Sequence, residues 1–215
     1  EALNRFVAGA TDVCEAVDAE YVGGDLDSNE EFTTASTAIG TVADAGVVRR
    51  SGAAAGDALC VTGEWGRSAA ALRLFKRGTD EAVERANDLF RFTPRVADGL
   101  ALAGRATAMM ASSDGLARSL HQLAEASGVG FALDPDRLPV HPAVDALAEG
   151  PAERFELAAH FGEDFELVCA VPEETIDDAR EACPGGLRRV GRVVDAAEGV
   201  TADGDPLPDR GYTHG

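Results

Sequence analysis

One stretch, residues 106–128 (ATAMMASSDGLARSLHQLAEASG), narrows the folds open to this chain more than any other. Residues 106–111 are small and apolar, short enough for a strand buried on both faces. Ser112, Ser113, Asp114 and Gly115 break that run. Leu116, Leu120, Leu123 and Ala124 then recur at helical spacing, and Gly128 falls where a helix end favours a left-handed residue. A strand that turns straight into an amphipathic helix must lay the helix on a sheet. The pattern predicts Ser113 as the helix N-cap, with Asp114 in the first turn. A carboxylate and several free backbone N–H groups would then meet beside the end of a buried strand. Such a point suits a phosphate, a magnesium ion or only the helix itself.

The remaining sequence supplies the sheet. A helix is expected first, with Leu3, Phe6, Val7, Ala10, Val13, Cys14 and Val17 on one stripe. No start signal precedes Leu3, so the chain reads as cut off at its N-terminus. Strands are expected over 19–22 and over the threonine-rich 32–42, with Gly23-Gly24-Asp25 and a polar loop between them. This opening unit cannot build a core alone and needs a partner sheet from elsewhere. The loop of residues 49–57 is the expected domain boundary, dividing residues 1–45 from 46–215. Further strands are expected over 58–62, 129–133, 165–171, 187–194 and 200–201. Helices are expected over 68–76, 80–90, 142–149, 152–160 and 173–183, with another starting at Thr93-Pro94-Arg95. Helices and strands mix without strict alternation, which gives an α+β class.

Charge excludes some functions. The chain carries 38 acidic against 19 basic residues, a net charge of −19, and Lys76 is its one lysine. So acidic a surface repels nucleic acid and anionic membrane. It suits a cytoplasm at high salt, where charge repulsion is screened within a few Å. No apolar run is long enough to span a membrane and no leader opens the chain, so a soluble, cytoplasmic protein is expected. Cys14, Cys60, Cys169 and Cys183 include no Cys-x-x-Cys pair and read as buried, reduced thiols rather than zinc ligands.

Taken singly, the polar candidates say little. Asp25 after two glycines is more often a turn residue, Asp114 more often a helix-dipole partner, and Arg49 and Arg50 more often a solvated pair. Glu163 and Asp164 suit an ordinary helix–strand turn. His121, His141, His160 and His214 are scattered, and none reads as catalytic. No Gly-x-Gly-x-x-Gly, Gly-Lys-Ser/Thr or nucleophile-elbow motif is present. Together, however, these residues recur where a strand ends in a glycine-bearing turn. Carboxylates so placed suit a magnesium ion shared with substrate phosphates, with arginines to offset phosphate charge.

The motifs also carry a resemblance. Val22-Gly23-Gly24-Asp25 before a threonine-rich segment is similar to a hallmark of the thiamine-monophosphate kinases. So are Arg50-Ser51-Gly52-x₃-Gly56-Asp57, Val61-Thr62-Gly63, Gly66-Arg67-Ser68-Ala69-Ala70 and Thr93-Pro94-Arg95-Val96. Ser113-Asp114-Gly115-Leu116, Glu125-Ala126-Ser127-Gly128-Val129-Gly130 and Gly162-Glu163-Asp164-Phe165-Glu166-Leu167 complete the set in order. The resemblance covers nearly the whole chain and points to a halophilic archaeal source.

It implies a PurM-like fold of the aminoimidazole-ribonucleotide-synthetase superfamily. Residues 1–45 would be the remnant of an N-terminal ATP-binding domain, and 46–215 a complete C-terminal α/β domain. The implied reaction transfers the γ-phosphoryl of ATP to thiamine monophosphate, giving thiamine diphosphate, with magnesium as cofactor and a homodimer as the full-length state. Asp25 and Asp114 would be magnesium ligands, Arg50 and Ser113 ATP contacts, and Glu163 and Tyr212 contacts to the thiamine substrate. No general base is implied. Two departures stand out: the family's Gly-Asp-Asp segment is missing, and Ala111 replaces an aspartate two residues before Ser113, so activity of this chain is expected to be impaired. Another phosphotransferase of the superfamily, or a non-catalytic binder of thiamine phosphates, is the alternative.

Overall fold

The segment Ala58–Thr62 (β1) is buried at every position, which requires cover on both faces of its sheet. The computed structural model, which describes residues 1–28, 30–42 and 44–212, supplies that cover. His214 lies outside the described residues. The chain forms two compact units, Glu1–Ala45 and Gly46–Gly215.

The first unit contains α1 (Ala2–Glu15), and no residue of that helix is buried. Phe6 meets Phe32 edge-on at 5.7 Å. The strands expected over 19–22 and 32–42 do not form among the described residues. Their backbone groups find no neighbouring strand to pair with, and a lone strand has no stable hydrogen-bonding pattern. Val22 and Ile39 stay 90% and 97% exposed as a result. Cys14 is half-buried, unlike the other three thiols.

The second unit is built on one mixed sheet. After β1 come α2 (Arg67–Arg77), α3 (Asp80–Phe90) and α4 (Val96–Leu102), then β2 (Ala108–Ala111), α5 (Leu116–Ser127) and β3 (Gly130–Leu133). The rest are α6 (Pro142–Asp145), α7 (Pro151–Ala159), β4 (Leu167–Val171), α8 (Ile176–Ala182), β5 (Leu187–Val194), β6 (Val200–Ala202) and β7 (Asp205–Pro206). The strand order is β2-β4-β1-β5-β3-β6-β7, antiparallel except for the β3–β6 pair. Alternate residues of β1 and β4 point into two cores. Leu59, Val61, Val168 and Ala170 meet Leu116, Leu120 and Leu123 of α5 on one face. Ala58, Cys60, Cys169 and Val171 meet Leu102 of α4 and Ile176 and Ala179 of α8 on the other. Each fully buried leucine or valine contributes roughly 1.5–3 kcal/mol. Burial pushes the Cys60 and Cys183 thiols up to about 12, so they stay protonated and inert at neutral pH.

The β2 strand lies at the sheet edge rather than inside it, and its last residue, Ala111, is exposed. No helix among the described residues is long and apolar enough to cross a membrane.

Candidate functional site

The edge position of β2 leaves its C-terminal turn free to be claimed by a second segment. Residues 112–114 and 162–166 are joined by three backbone bonds. Ser112 N–H donates to the Glu166 carbonyl at 2.9 Å, Phe165 N–H to the Ser112 carbonyl at 3.1 Å, and Glu163 N–H to the Ser113 carbonyl at 2.7 Å. A third segment joins them where Tyr212 N–H donates to the Asp114 carbonyl at 3.0 Å. Gly162, at φ 91°, makes the approach possible, because a Cβ there would sit 2.5 Å from the Ser113 carbonyl oxygen. Ser113, Asp114, Glu163 and Tyr212 therefore meet at one end of β2. Glu163 and Ser113 are exposed, and Tyr212 is 58% exposed.

Within the second unit, Arg50 does not join this group. The Arg50 carbonyl accepts from Ser127 Oγ at 3.1 Å, at the far end of α5, about 18 Å along a helix of 12 residues from its start. The neighbouring Arg49 carbonyl accepts from Met109 N–H at 2.8 Å, about 13 Å up the strand from Ser113. Asp25 lies in the first unit on exposed, irregular chain with no strand before it, and its Oδ1 accepts from Leu26 N–H at 2.9 Å.

The helix start also differs from expectation. The N-cap of α5 is Gly115, at φ 110°, not Ser113, and no side chain caps it. Ser113 Oγ turns instead to Asp114 Oδ1 at 2.9 Å, so Asp114 precedes the helix rather than lying in its first turn. The Ser113 carbonyl is already committed to Glu163, and Gly115 provides the backbone freedom to enter the helix beyond it.

Beneath the exposed residues lies a polar layer that sequence reasoning did not assign. Asp164 is 2% exposed, and its carboxylate accepts from Gly66 N–H at 2.7 Å and Ser68 N–H at 2.9 Å at the start of α2. Desolvation pushes its pKa up to about 6, against the opposing effect of those two bonds and of Arg67. Glu166 accepts from Arg95 Nε at 2.7 Å, Arg95 Nη2 at 2.9 Å and Thr62 Oγ1 at 2.7 Å. The hydrogen bond to Glu166 holds Arg95 above its ordinary pKa. Burial pulls Arg67 below its ordinary value, and its Nε has no partner among the described residues. The available signal was a carboxylate set between apolar residues in Phe165-Glu166-Leu167, where a strand facing two cores has no ordinary place for one.

Among the described residues, no group of three or more His, Cys, Asp or Glu side chains is placed to hold a metal. Asp114 and Glu163 are the exposed or half-exposed carboxylates described at this unit's site, and Ala111 adds none. That set does not fit a resident metal. It does fit a magnesium ion held by one or two carboxylates together with substrate phosphates.

Elsewhere, a cleft of about 740 Å³ opens along β3, β5 and β6, bordered by Arg137, Arg189 and Arg192. It lies at the other side of the sheet from β2.

A family model described as AIR synthase related protein, C-terminal domain, matches residues 54–203. The thiamine-monophosphate kinase of Halobacterium salinarum is 60% identical over 212 residues, covering 99% of this chain and 71% of that relative. The thiamine-monophosphate kinase of Methanospirillum hungatei is 38% identical, covering 100% of this chain and 69% of its own length. The solved structure of AaThiL complexed with AMPPCP and TMP superposes with a TM-score of 0.66 at 28% identity, over 78% of this chain and 54% of that one.

Proposed function

This chain belongs to the thiamine-monophosphate kinase family, and from that premise we propose that its second unit handles the phosphorylated acceptor in ATP-dependent formation of thiamine diphosphate. The observation that carries the reading is the joining of residues 112–114 to 162–166. It gathers a hydroxyl and two carboxylates at a strand end, where the Tyr212 N–H donation to the Asp114 carbonyl adds an aromatic residue. AaThiL has been solved with an ATP analogue and TMP, which supports ATP as co-substrate here.

In this reading Ser113 contacts the nucleotide and orients the Asp114 carboxylate through its hydroxyl. Asp114 would hold magnesium, which when bound supplies charge neutralisation at the transferring phosphoryl group; Asp25, in the first unit, would likewise be a magnesium ligand. Glu163 and Tyr212 contact the thiamine part. Arg50 reaches ATP phosphates from the other end of the β2 edge. The attacking group is a phosphate oxygen, already ionised at neutral pH, so no residue need act as a strong base. The chain's work is positioning and charge placement.

Residues 1–45 belong to the ATP-binding domain in this reading, and the chain spans 71% and 69% of the length of the two relatives named above. The working state is a cytoplasmic homodimer at high salt, without nucleic-acid or membrane partners. The test is turnover by the protein expressed from its complete reading frame, in molar KCl with ATP, thiamine monophosphate and magnesium chloride, followed by phosphorus NMR. Formation of thiamine diphosphate that Asp114→Asn abolishes supports the reading. Phosphorylation of a different small acceptor in preference to thiamine monophosphate would replace it with another phosphotransferase of the superfamily.

A further inference from the structure

Beside Glu163 stands an aromatic pair that neither core accounts for. Phe165 and Phe92 stack with ring centroids 5.2 Å apart and planes 17° from parallel. They remain 39% and 37% exposed. Phe165 holds φ 53° and Glu163 φ 58°. Left-handed backbone is uncommon for any residue with a Cβ, and for a bulky aromatic it is an outlier that the surroundings must enforce.

The enforcing contacts are on both sides of the loop. Ser112 and Ser113 carbonyls hold the N–H groups of Phe165 and Glu163. On the opposite side Asp164 is tied to Gly66 and Ser68, and Ser68 Oγ donates to the Glu163 carbonyl at 2.6 Å. The result is an apolar ring held outside the core, two residues along the chain from the exposed Glu163. Phe92 also carries the Arg67 guanidinium, with Cζ 4.9 Å from the ring centroid. Arg67 in turn has a buried Nε with no partner among the described residues. The support beneath the outer ring is therefore built and costly, while the outer ring itself is left open.

We propose that Phe165, backed by Phe92 and Arg67, is the ring-stacking, specificity-determining residue for the cationic heteroaromatic body of the phosphorylated acceptor. Thiamine monophosphate has a thiazolium ring with a fixed positive charge and a planar aminopyrimidine. An open aromatic face attracts such a cation, and the exposed Glu163 on the same loop complements the charge. This inference rests on the kinase reading above and extends it to a residue which that reading leaves without a role.

The experiment measures kcat and the KM values for both substrates in molar KCl, using the protein from the complete reading frame. The variants are Phe165→Leu, Phe165→Trp and Phe165→Gly. Leucine keeps the bulk without the π face, glycine suits the left-handed backbone, and a Tm measured for each variant separates lost stacking from misfolding. Phe165→Leu and Phe165→Gly are expected to raise KM for thiamine monophosphate about tenfold. KM for ATP and kcat should stay within twofold, and Phe165→Trp should keep the wild-type KM. An unchanged acceptor KM in both the leucine and glycine variants overturns the inference alone. So does an equal rise in both KM values, which would mark a structural role. A wild-type protein that makes no thiamine diphosphate overturns the kinase reading and this inference with it.

Discussion

Replacing Gly162 by alanine tests the joint on which the site depends. Two costs and one gain follow from the structure. Gly162 has φ 91°, and an L-residue in the left-handed region costs roughly 1–2 kcal/mol. Its Cβ would also lie 2.5 Å from the Ser113 carbonyl oxygen, 2.8 Å from Asp114 C and 2.9 Å from Gly115 N, all backbone atoms that cannot rotate away. Overpacking of this kind costs about 1–3 kcal/mol. Against these, alanine restricts the unfolded chain and returns roughly 0.4–1 kcal/mol. The expected net loss is about 2–4 kcal/mol, a fall of roughly 5–15 °C in Tm for a unit of this size. Gly128→Ala is the control. It too has positive φ, 69°, but its Cβ would meet nothing within 4 Å, so it should cost about 1 kcal/mol or less. Urea titration in molar KCl measures both. Equal losses for the two variants would refute the claim that residues 112–114 and 162 are in obligatory close contact.

Three further predictions follow from the polar layer and the metal positions. Arg95→Ala leaves the Glu166 carboxylate, 4% exposed, without its charged partner and should cost about 3 kcal/mol. Adding Glu166→Gln should recover part of that loss in a double-mutant cycle, and strict additivity would argue against the pair. Asp164 has a folded pKa raised to about 6, so between its ordinary value near 3.8 and about 6 the folded state binds the extra proton. Wild-type stability relative to Asp164→Asn should then fall as pH rises through that window, by on the order of 3 kcal/mol, and level off above it. A flat difference from pH 4 to pH 7 would show that Asp164 is not desolvated as described. Ala111→Asp adds a carboxylate at the exposed end of β2 and should lower the magnesium needed for half-maximal turnover on the order of tenfold. An unchanged magnesium titration would remove residue 111 from any metal site.

The framework of the second unit was legible because its signals are local. Alternation and apolar runs gave β1 and β5 to the residue, and Thr79 caps α3 by accepting from Ala82 N–H as its position suggested. The first unit was not legible in the same way. Its threonine-rich segment has strand propensity, but propensity without a pairing partner leaves the backbone unsatisfied, and no strand forms there among the described residues. At the site, Ser-Asp-Gly suggested a capped helix, because capping rules see only neighbours in sequence. The decisive bonds come from Glu163 and Phe165, about fifty residues away in the chain, and they commit the backbone that a serine cap would have used. The same limit hid Asp164, Glu166 and Arg95. Asp164 and Arg95 are unremarkable charges in sequence and Glu166 stands out only by its apolar neighbours; all three become buried or half-buried bonded groups only when α2, β1 and the segment before α4 converge.

The central claim is a location: the phosphorylated acceptor is handled where residues 112–114 meet 162–166. A crystal structure of the protein from its complete reading frame, with thiamine monophosphate and a non-hydrolysable ATP analogue, tests it most directly. The account predicts the acceptor's phosphate beside Ser113 and Asp114, with its rings against Glu163, Phe165 and Tyr212. Acceptor density in the cleft of Arg137, Arg189 and Arg192, with the 112–114 turn left empty, would contradict it.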